Sequence, residues 1–186
     1  NVSVMSRKPS GRPGLWAAAC LVSAMLAGCS ASTSDVGVYL AGDIQNAYGY
    51  CPSIEVDVVG LTDAEKMRFL AYDVDKYFTP PAQFRKSLGA VTLKFSEDSM
   101  RAQKIPDNAE AWKRWEDKGA KYIGVISNLP IITEPGEGVT DPRKLIIDMH
   151  DGFMVDSSAH YVEVGGSGII ELKKEPETET EPEEAK

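Results

Sequence analysis

The stretch Lys121-Tyr122-Ile123-Gly124-Val125-Ile126-Ser127 decides the fold class of this chain. It is a nearly continuous apolar run that is too short for a helix and rich in β-branched residues, which is typical of a buried central strand. Leu129-Pro130 ends the run, because proline cannot donate a ladder hydrogen bond. We therefore expect a sheet with this segment near its middle.

Five further segments have strand patterns. The segment 54–60 alternates apolar and acidic side chains, as a strand with one buried face does. The other four are 91–95, 143–149, 159–164 and 167–172, with Asp151-Gly152 and Gly165-Gly166 as turns. Strands dominate without regular strand–helix alternation, which predicts a mainly β fold, an antiparallel β-sandwich.

Two short helices are expected between these strands. Thr62 and Glu65 have the spacing of a capping box in front of an apolar group at 67–70. A second helix is expected at 109–118, capped by Asp107 or Asn108 and ended by Gly119.

The start of the sequence has the pattern of an export signal. An apolar run of 13 residues at 15–27 follows a basic, Pro/Gly-rich segment, and it is shorter than the roughly 20 residues that span a bilayer. The run closes in Leu26-Ala27-Gly28-Cys29, the pattern of a bacterial lipoprotein-processing site, or lipobox. We expect residues 1–28 to be a cleaved signal peptide and Cys29 to be the lipid anchor. The alternative is an ordinary export signal that happens to contain a cysteine.

Composition divides the remaining chain into three parts. Residues 29–50 are small and polar, and we interpret them as a lipidated tether that docks through Tyr48 and Tyr50. Residues 51–174 are the expected β-sandwich domain. Residues 175–186 hold six glutamates and no large apolar side chain, which predicts an acidic disordered tail. Its acidity either only solubilises the domain or attracts a basic partner.

Charge and cysteine usage restrict the classes of partner. Loss of residues 1–28 removes three basic and no acidic residues, so the formal net charge moves from −8 to −11. We do not expect such an acidic domain to bind nucleic acid or anionic lipid headgroups, since proteins bind both through Lys and Arg. After processing, Cys51 is the only thiol left, which excludes an intramolecular disulfide. We expect it to be buried, with intermolecular pairing as the alternative.

The sequence has no convincing pattern for catalysis. His150 lies between Asp148 and Asp151, and His160 follows ten residues later. We interpret His150, Asp151 and Gly152 as a turn after the strand that carries Asp148, rather than as part of a metal or acid–base site. Neither zinc-ligand spacing, nor a Gly-x-Ser-x-Gly elbow, nor a phosphate-binding loop in front of a helix is present. We expect no enzyme activity, no metal and no cofactor.

Two other features are candidates for binding. Trp112 and Trp115 are three residues apart on one helical face, where they either seal an open end of the sandwich or form an aromatic platform for a ligand. The second candidate is a partner-contact loop, whose alternative is an ordinary polar connection. Its residues are Glu134, Pro135, Gly136, Glu137, Gly138, Val139 and Thr140.

The order of these parts resembles TssJ, the outer-membrane lipoprotein family of the type VI secretion envelope complex. The resemblance covers residues 29–172: the lipobox, strands at 54–60 and 91–95, and the central strand entered from Lys118-Gly119-Ala120-Lys121. It implies a transthyretin-like β-sandwich with added helices and no catalysis. It also implies loops that bind the periplasmic part of a large inner-membrane protein, TssM. Ser30 after the cysteine is similar to the sorting signal for the periplasmic face of the outer membrane.

Two hypotheses follow from the sequence. The first is a docking component of a cell-envelope complex, anchored in the outer membrane. The alternative is an envelope- or ligand-binding lipoprotein that uses the tryptophan platform.

Overall fold

The computed structural model describes residues 35–96, 102–130, 139–149 and 159–176. Within these ranges the chain forms strands and short helices in a mixed order. The strands are β1 (Val36–Leu40), β2 (Ile54–Leu61), β3 (Val91–Phe95), β4 (Ala102–Ile105), β5 (Tyr122–Ser127), β6 (Lys144–Asp148), β7 (His160–Gly165) and β8 (Gly168–Leu172). The helices are α1 (Ile44–Tyr48), α2 (Asp63–Ala71), α3 (Val74–Phe78), α4 (Gln83–Leu88) and α5 (Glu110–Asp117).

The strands form two four-stranded sheets. Sheet A has the order β4-β1-β7-β8, and sheet B has the order β3-β2-β5-β6. The pairs are antiparallel except β1 with β7, which run parallel with Val38 opposite Val162. The predicted mainly β fold is therefore confirmed. The stretch 121–127 contains β5, which lies inside sheet B between β2 and β6 as expected.

Sheet B is covered by apolar side chains on both faces. The inter-sheet core lies between the two sheets and is closed by α5. It includes Val36, Val38, Val56, Val58, Trp112, Trp115, Ile123, Val125, Val162 and Val164. The helix-side core lies under α2, α3 and α4 and consists of Val59, Leu61, Phe69, Val74, Tyr77, Phe84, Leu88 and Ile126. Burial on both faces is the reason that β5 has a nearly continuous apolar sequence.

Strand β2 differs from its prediction. The alternation at 54–60 indicated one buried and one solvated face, but Asp57 is fully buried. Its carboxylate accepts hydrogen bonds from Tyr77 Oη (3.0 Å), Arg85 Nε (2.6 Å) and Thr92 Oγ1 (2.7 Å). The face of β2 that was expected to contact water is covered by helices α3 and α4. Their side chains Tyr77 and Arg85 supply the hydrogen bonds that the buried Asp57 requires.

The folded domain begins earlier than residue 51. Residues 36–48 were interpreted as tether, yet they form β1 and α1, and Val36 and Val38 belong to the inter-sheet core. Tyr48 packs against that core as predicted, whereas Tyr50 is 56% exposed. Strand β4 was also missed. Both strands are only four or five residues long, which leaves little periodicity in the sequence.

The helices are more numerous than the two expected. The capping box of α2 is present: Glu65 N donates to Thr62 Oγ1 (3.3 Å), and Thr62 N donates to Glu65 Oε2 (2.9 Å). Helix α5 also forms, but its N-cap is Ala109 rather than Asp107 or Asn108. Helices α3 and α4 lie on either side of the Pro80-Pro81 pair and were missed, because each is too short for a periodic pattern.

The described part of the acidic tail is anchored at Glu175. Glu175 Oε1 accepts hydrogen bonds from Tyr39 Oη (2.7 Å) and Lys104 Nζ (2.6 Å). The domain thus continues to at least this residue, while 177–186 lie outside the described residues. The predicted signal peptide and Cys29 lie outside them as well. In the described ranges, none of the helices has the length and apolar character that a bilayer crossing demands.

Candidate functional site

The predicted contact loop starts and ends at one end of sheet B. Leu129 and Pro130 follow β5 after one residue, Asn128, and Pro142 and Arg143 lead into β6. Glu134 to Gly138 lie outside the described residues. Val139 and Thr140 are described and exposed, and Val139 has 64% of its surface open to solvent.

A pocket of about 460 Å³ lies at the flanks of this loop, and we name it the loop-base pocket. Three parts of the chain form its wall: helix α1 with the residue before it, the two loop flanks, and the β7–β8 turn. They contribute Asp43, Tyr48, Pro130, Pro142, Arg143 and residues 166–168, among others. None of the sequence patterns pointed to this pocket, because its wall joins segments more than 100 residues apart.

Hydrogen bonds hold the wall of the loop-base pocket together. Tyr48 Oη donates to Pro130 O at 3.1 Å, and Gly166 N donates to Asp43 Oδ1 at 3.1 Å. Gly166 approaches α1 so closely that a Cβ there would overlap the methyl group of Ala47. Glycine is therefore required at this turn by lack of space, and the wall is fixed before anything binds.

Arg143 fastens the second flank of the loop. Its guanidinium is almost fully buried and donates to Asp141 through Nε (3.0 Å) and Nη2 (2.8 Å), to Asp75 (2.7 Å) and to Leu129 O (3.3 Å). Burial alone would lower the pKa of Arg143, but the two carboxylates raise it on balance. Both arms of the guanidinium fork are thus occupied, as expected for a buried arginine.

The charged side chains that line the loop-base pocket are Asp43 and Arg143. The guanidinium of Arg143 is ion-paired with Asp75 and Asp141, so its charge is balanced by carboxylates other than that of Asp43. Burial opposes ionisation of Asp141, but its hydrogen bonds with Arg143 lower its pKa below the usual value. Asp141 therefore stays ionised at neutral pH and remains paired with Arg143.

Trp112 and Trp115 are core residues. Their exposed fractions are 2% and 1%, and the two rings meet edge to face with centroids 5.1 Å apart. Trp112 Nε1 donates to Pro106 O at 2.8 Å, and Trp115 packs directly on the backbone of Gly60. No ring face is open to a ligand, so the structure contradicts the aromatic platform and agrees with the alternative in which the pair seals the sandwich.

The two described members of the histidine group lie in different sheets. Asp148 is at the end of β6 in sheet B, whereas His160 begins β7 in sheet A and faces Glu171, with Nδ1 and Oε1 3.2 Å apart. His150 and Asp151 lie outside the described residues. No three His, Cys, Asp or Glu side chains of the described ranges are grouped to hold a metal ion. Cys51 is a free, half-buried thiol.

Comparison with known proteins gives structural likenesses at low identity. The sequence matches no protein-family profile and no curated protein. Serratia marcescens Lip, described as a membrane-bound component of the type VI secretion system, is 17% identical over 78% of this chain and 99% of its own, with a TM-score of 0.48. The lipoprotein TssJ1 from Pseudomonas aeruginosa is 12% identical over 77% of this chain and 99% of its own, with a TM-score of 0.44.

A third similar structure is described as the TssM C-terminal domain of the type VI secretion system from EAEC. It is 13% identical over 75% of this chain and 100% of its own, with a TM-score of 0.49.

Proposed function

We propose that this chain is a non-enzymatic lipoprotein, held by a lipid on Cys29 at the periplasmic face of the outer membrane. There it docks the periplasmic domain of a large, TssM-like inner-membrane protein in a type VI secretion membrane complex. The observation that carries the proposal is the lipobox Leu26-Ala27-Gly28-Cys29, followed in the chain by a two-sheet β domain. The secretion assignment is supported by the sequence resemblance to TssJ proteins.

The position of β1 supports a short anchor. Val36 begins β1 only seven residues after Cys29, and an extended segment of that length reaches at most about 25 Å. A domain held this closely works near the membrane surface, where it meets proteins that cross the periplasm. Attachment by two or more acyl chains is stable, since each buried methylene contributes about 0.8 kcal/mol.

The loop end of sheet B is the docking surface in this proposal. Binding residues concentrate on loops that a rigid scaffold presents, and this loop stands on a wall fixed by Tyr48, Asp43 and Arg143. Val139 adds an exposed apolar side chain at the same end. The ligand-binding alternative loses its support, because both tryptophans are buried.

Two variants matched in exposure test the docking surface. Val139 is 64% exposed on the loop. Met67 is 68% exposed on α2, which packs over the helix-side core. Each is changed to aspartate in the full lipidated chain, the envelope is solubilised in detergent, and the co-purified inner-membrane protein is quantified. We expect Val139→Asp to lower recovery of the TssM-like protein severalfold and Met67→Asp to leave it unchanged. Absence of any large inner-membrane protein with the unaltered chain would refute the proposal.

A further inference from the structure

The loop-base pocket has the chemistry to bind a cation. Of the two carboxylate oxygens of Asp43, Oδ1 is engaged by Gly166 N, and no described residue donates to Oδ2. Arg143 gives its donors to Asp75, Asp141 and Leu129 O, so it does not neutralise Asp43 through a hydrogen bond. A carboxylate with one oxygen open to a donor, at the wall of a pocket, attracts a positively charged group that also donates hydrogen bonds.

Other groups of the wall suit a flat cation with an alkyl stem. The ring of Tyr48 lies in the wall beside Asp43, and Pro130 and Pro142 supply apolar surface on the loop flanks. A tyrosine face favours a guanidinium or ammonium group, and arginine stacks on aromatic rings while it binds a carboxylate. The pocket volume of about 460 Å³ lies in the range of small-molecule sites, roughly 300–1,000 Å³, and so admits one long side chain with its water.

The wall is also preorganised, because hydrogen bonds from Tyr48 and Gly166 join it and the close contact between Gly166 and Ala47 fixes the spacing of α1 and the turn. A fixed pocket does not have to be ordered when a group binds, so that part of the cost of association is absent. Because Arg143 is balanced by Asp75 and Asp141, Asp43 is the charge that the pocket wall offers to a partner. On a chain of formal charge −8, it selects a basic partner surface rather than an acidic one.

We propose that the loop-base pocket is an arginine-binding socket, in which Asp43 pairs with a guanidinium of the docked protein and Tyr48 stacks against it. This inference rests on the proposed docking function and specifies the chemistry of the partner: an exposed arginine in its contact surface. The socket is built entirely from described residues on both flanks of the loop and from α1.

The first arm of the test uses a small probe. The full chain, labelled with ¹⁵N and held in detergent micelles, is titrated with N-acetylarginine amide and with N-acetylcitrulline amide, its uncharged counterpart. We expect the arginine probe alone to shift the amide resonances of Asp43, Gly166 and Ser167, at about millimolar affinity. Asp43→Asn keeps the oxygen that accepts from Gly166 N and removes the charge. We expect it to weaken the probe about fivefold, whereas Asp117→Asn, an exposed change on α5, leaves the affinity unaltered.

The second arm measures binding of the periplasmic domain of the TssM-like protein from the same host to the same three chains. A loss of about fivefold with Asp43→Asn, and none with Asp117→Asn, supports the socket. Equal binding to all three chains overturns the socket and leaves the docking function standing. Failure of that domain to bind the unaltered chain, with the arginine probe still bound, overturns the docking function instead. Equal shifts by both probes overturn the socket in either case, because charge then plays no part.

Discussion

The two apolar cores of this domain are built by different means. The inter-sheet core is assembled from apolar side chains of both sheets and from the two tryptophans of α5. The helix-side core is bordered by the buried groups Asp57 and Lys144, which hold α2, α3 and α4 to sheet B through hydrogen bonds. The first depends on volume and shape, whereas the second also depends on the pairing of specific charges.

Lys144 shows how a charge is accommodated on the helix side. Its ammonium group donates to the carbonyl oxygens of Phe69 (3.3 Å), Leu70 (2.9 Å) and Tyr72 at the end of α2. These carbonyls lie at the C-terminal end of α2, where the helix carries a partial negative charge, so a cation there is stabilising. The carbonyl of Phe69 also accepts from the backbone N–H of Tyr72 (3.3 Å). Burial lowers the pKa of Lys144 below its usual value. This side chain therefore fixes where α2 ends on the sheet.

The largest effect is expected in the inter-sheet core. Trp115→Ala removes a fully buried indole that packs on Gly60, and we expect a loss of about 4 kcal/mol in the free energy of unfolding. Urea denaturation followed by circular dichroism measures it. Met67→Ala, at a 68% exposed position, serves as control and should stay within about 0.5 kcal/mol. A loss below about 1 kcal/mol for Trp115→Ala would show that the tryptophan pair does not hold the sandwich together.

A smaller effect with a different signature is expected on the helix side. Asp57→Ala leaves Arg85 and Tyr77 without their common acceptor, and we expect it to cost about 3 kcal/mol. The double change Asp57→Leu with Arg85→Met removes both charges, so it should recover part of that loss in the same denaturation assay. If the double variant is less stable than Asp57→Ala, the carboxylate is not acting through its pairing with Arg85.

The smallest effect is a pH dependence from Glu55 at the edge of the same network. The hydrogen bond from Arg85 lowers the pKa of Glu55, with a smaller contribution from Lys94. A lowered folded pKa gives stability that is present above the unfolded value, about 4.3, and is lost as pH falls through the folded value. Because Glu55 is partly exposed, the gain is only about 0.5 kcal/mol. Melting temperatures from pH 7 down to pH 3 should converge for the unaltered chain and Glu55→Gln; a constant difference would contradict this.

The parts of the fold that the sequence predicts are those encoded locally. Strands β2 and β5 have apolar periodicity, and the capping box of α2 is three residues long. Strand β1 is short and is stabilised by parallel pairing with β7, more than 120 residues away, which no local pattern reveals. The acidic alternation in β2 was visible, but the partner of Asp57, Arg85, lies 28 residues further on.

In the candidate site, too, only the locally encoded part could be predicted. The irregular composition of 134–140 indicates a loop from the sequence alone. The loop-base pocket could not be predicted, because Asp43 and Gly166 meet only when sheet A has formed. The sequence places Trp112 and Trp115 on one face of a helix, but it does not show whether a sheet packs against that face. For this reason the pair had two interpretations.

The most direct test of the central claim, a lipid anchor on Cys29, is the intact mass of the chain purified from the cell envelope. We predict a mature chain that begins at Cys29 and carries the added mass of a thioether-linked diacylglyceryl group and an amide-linked acyl chain. The Cys29→Ser variant should carry neither. A chain cut at another residue, or one that begins at Cys29 with an unmodified thiol, would contradict the account.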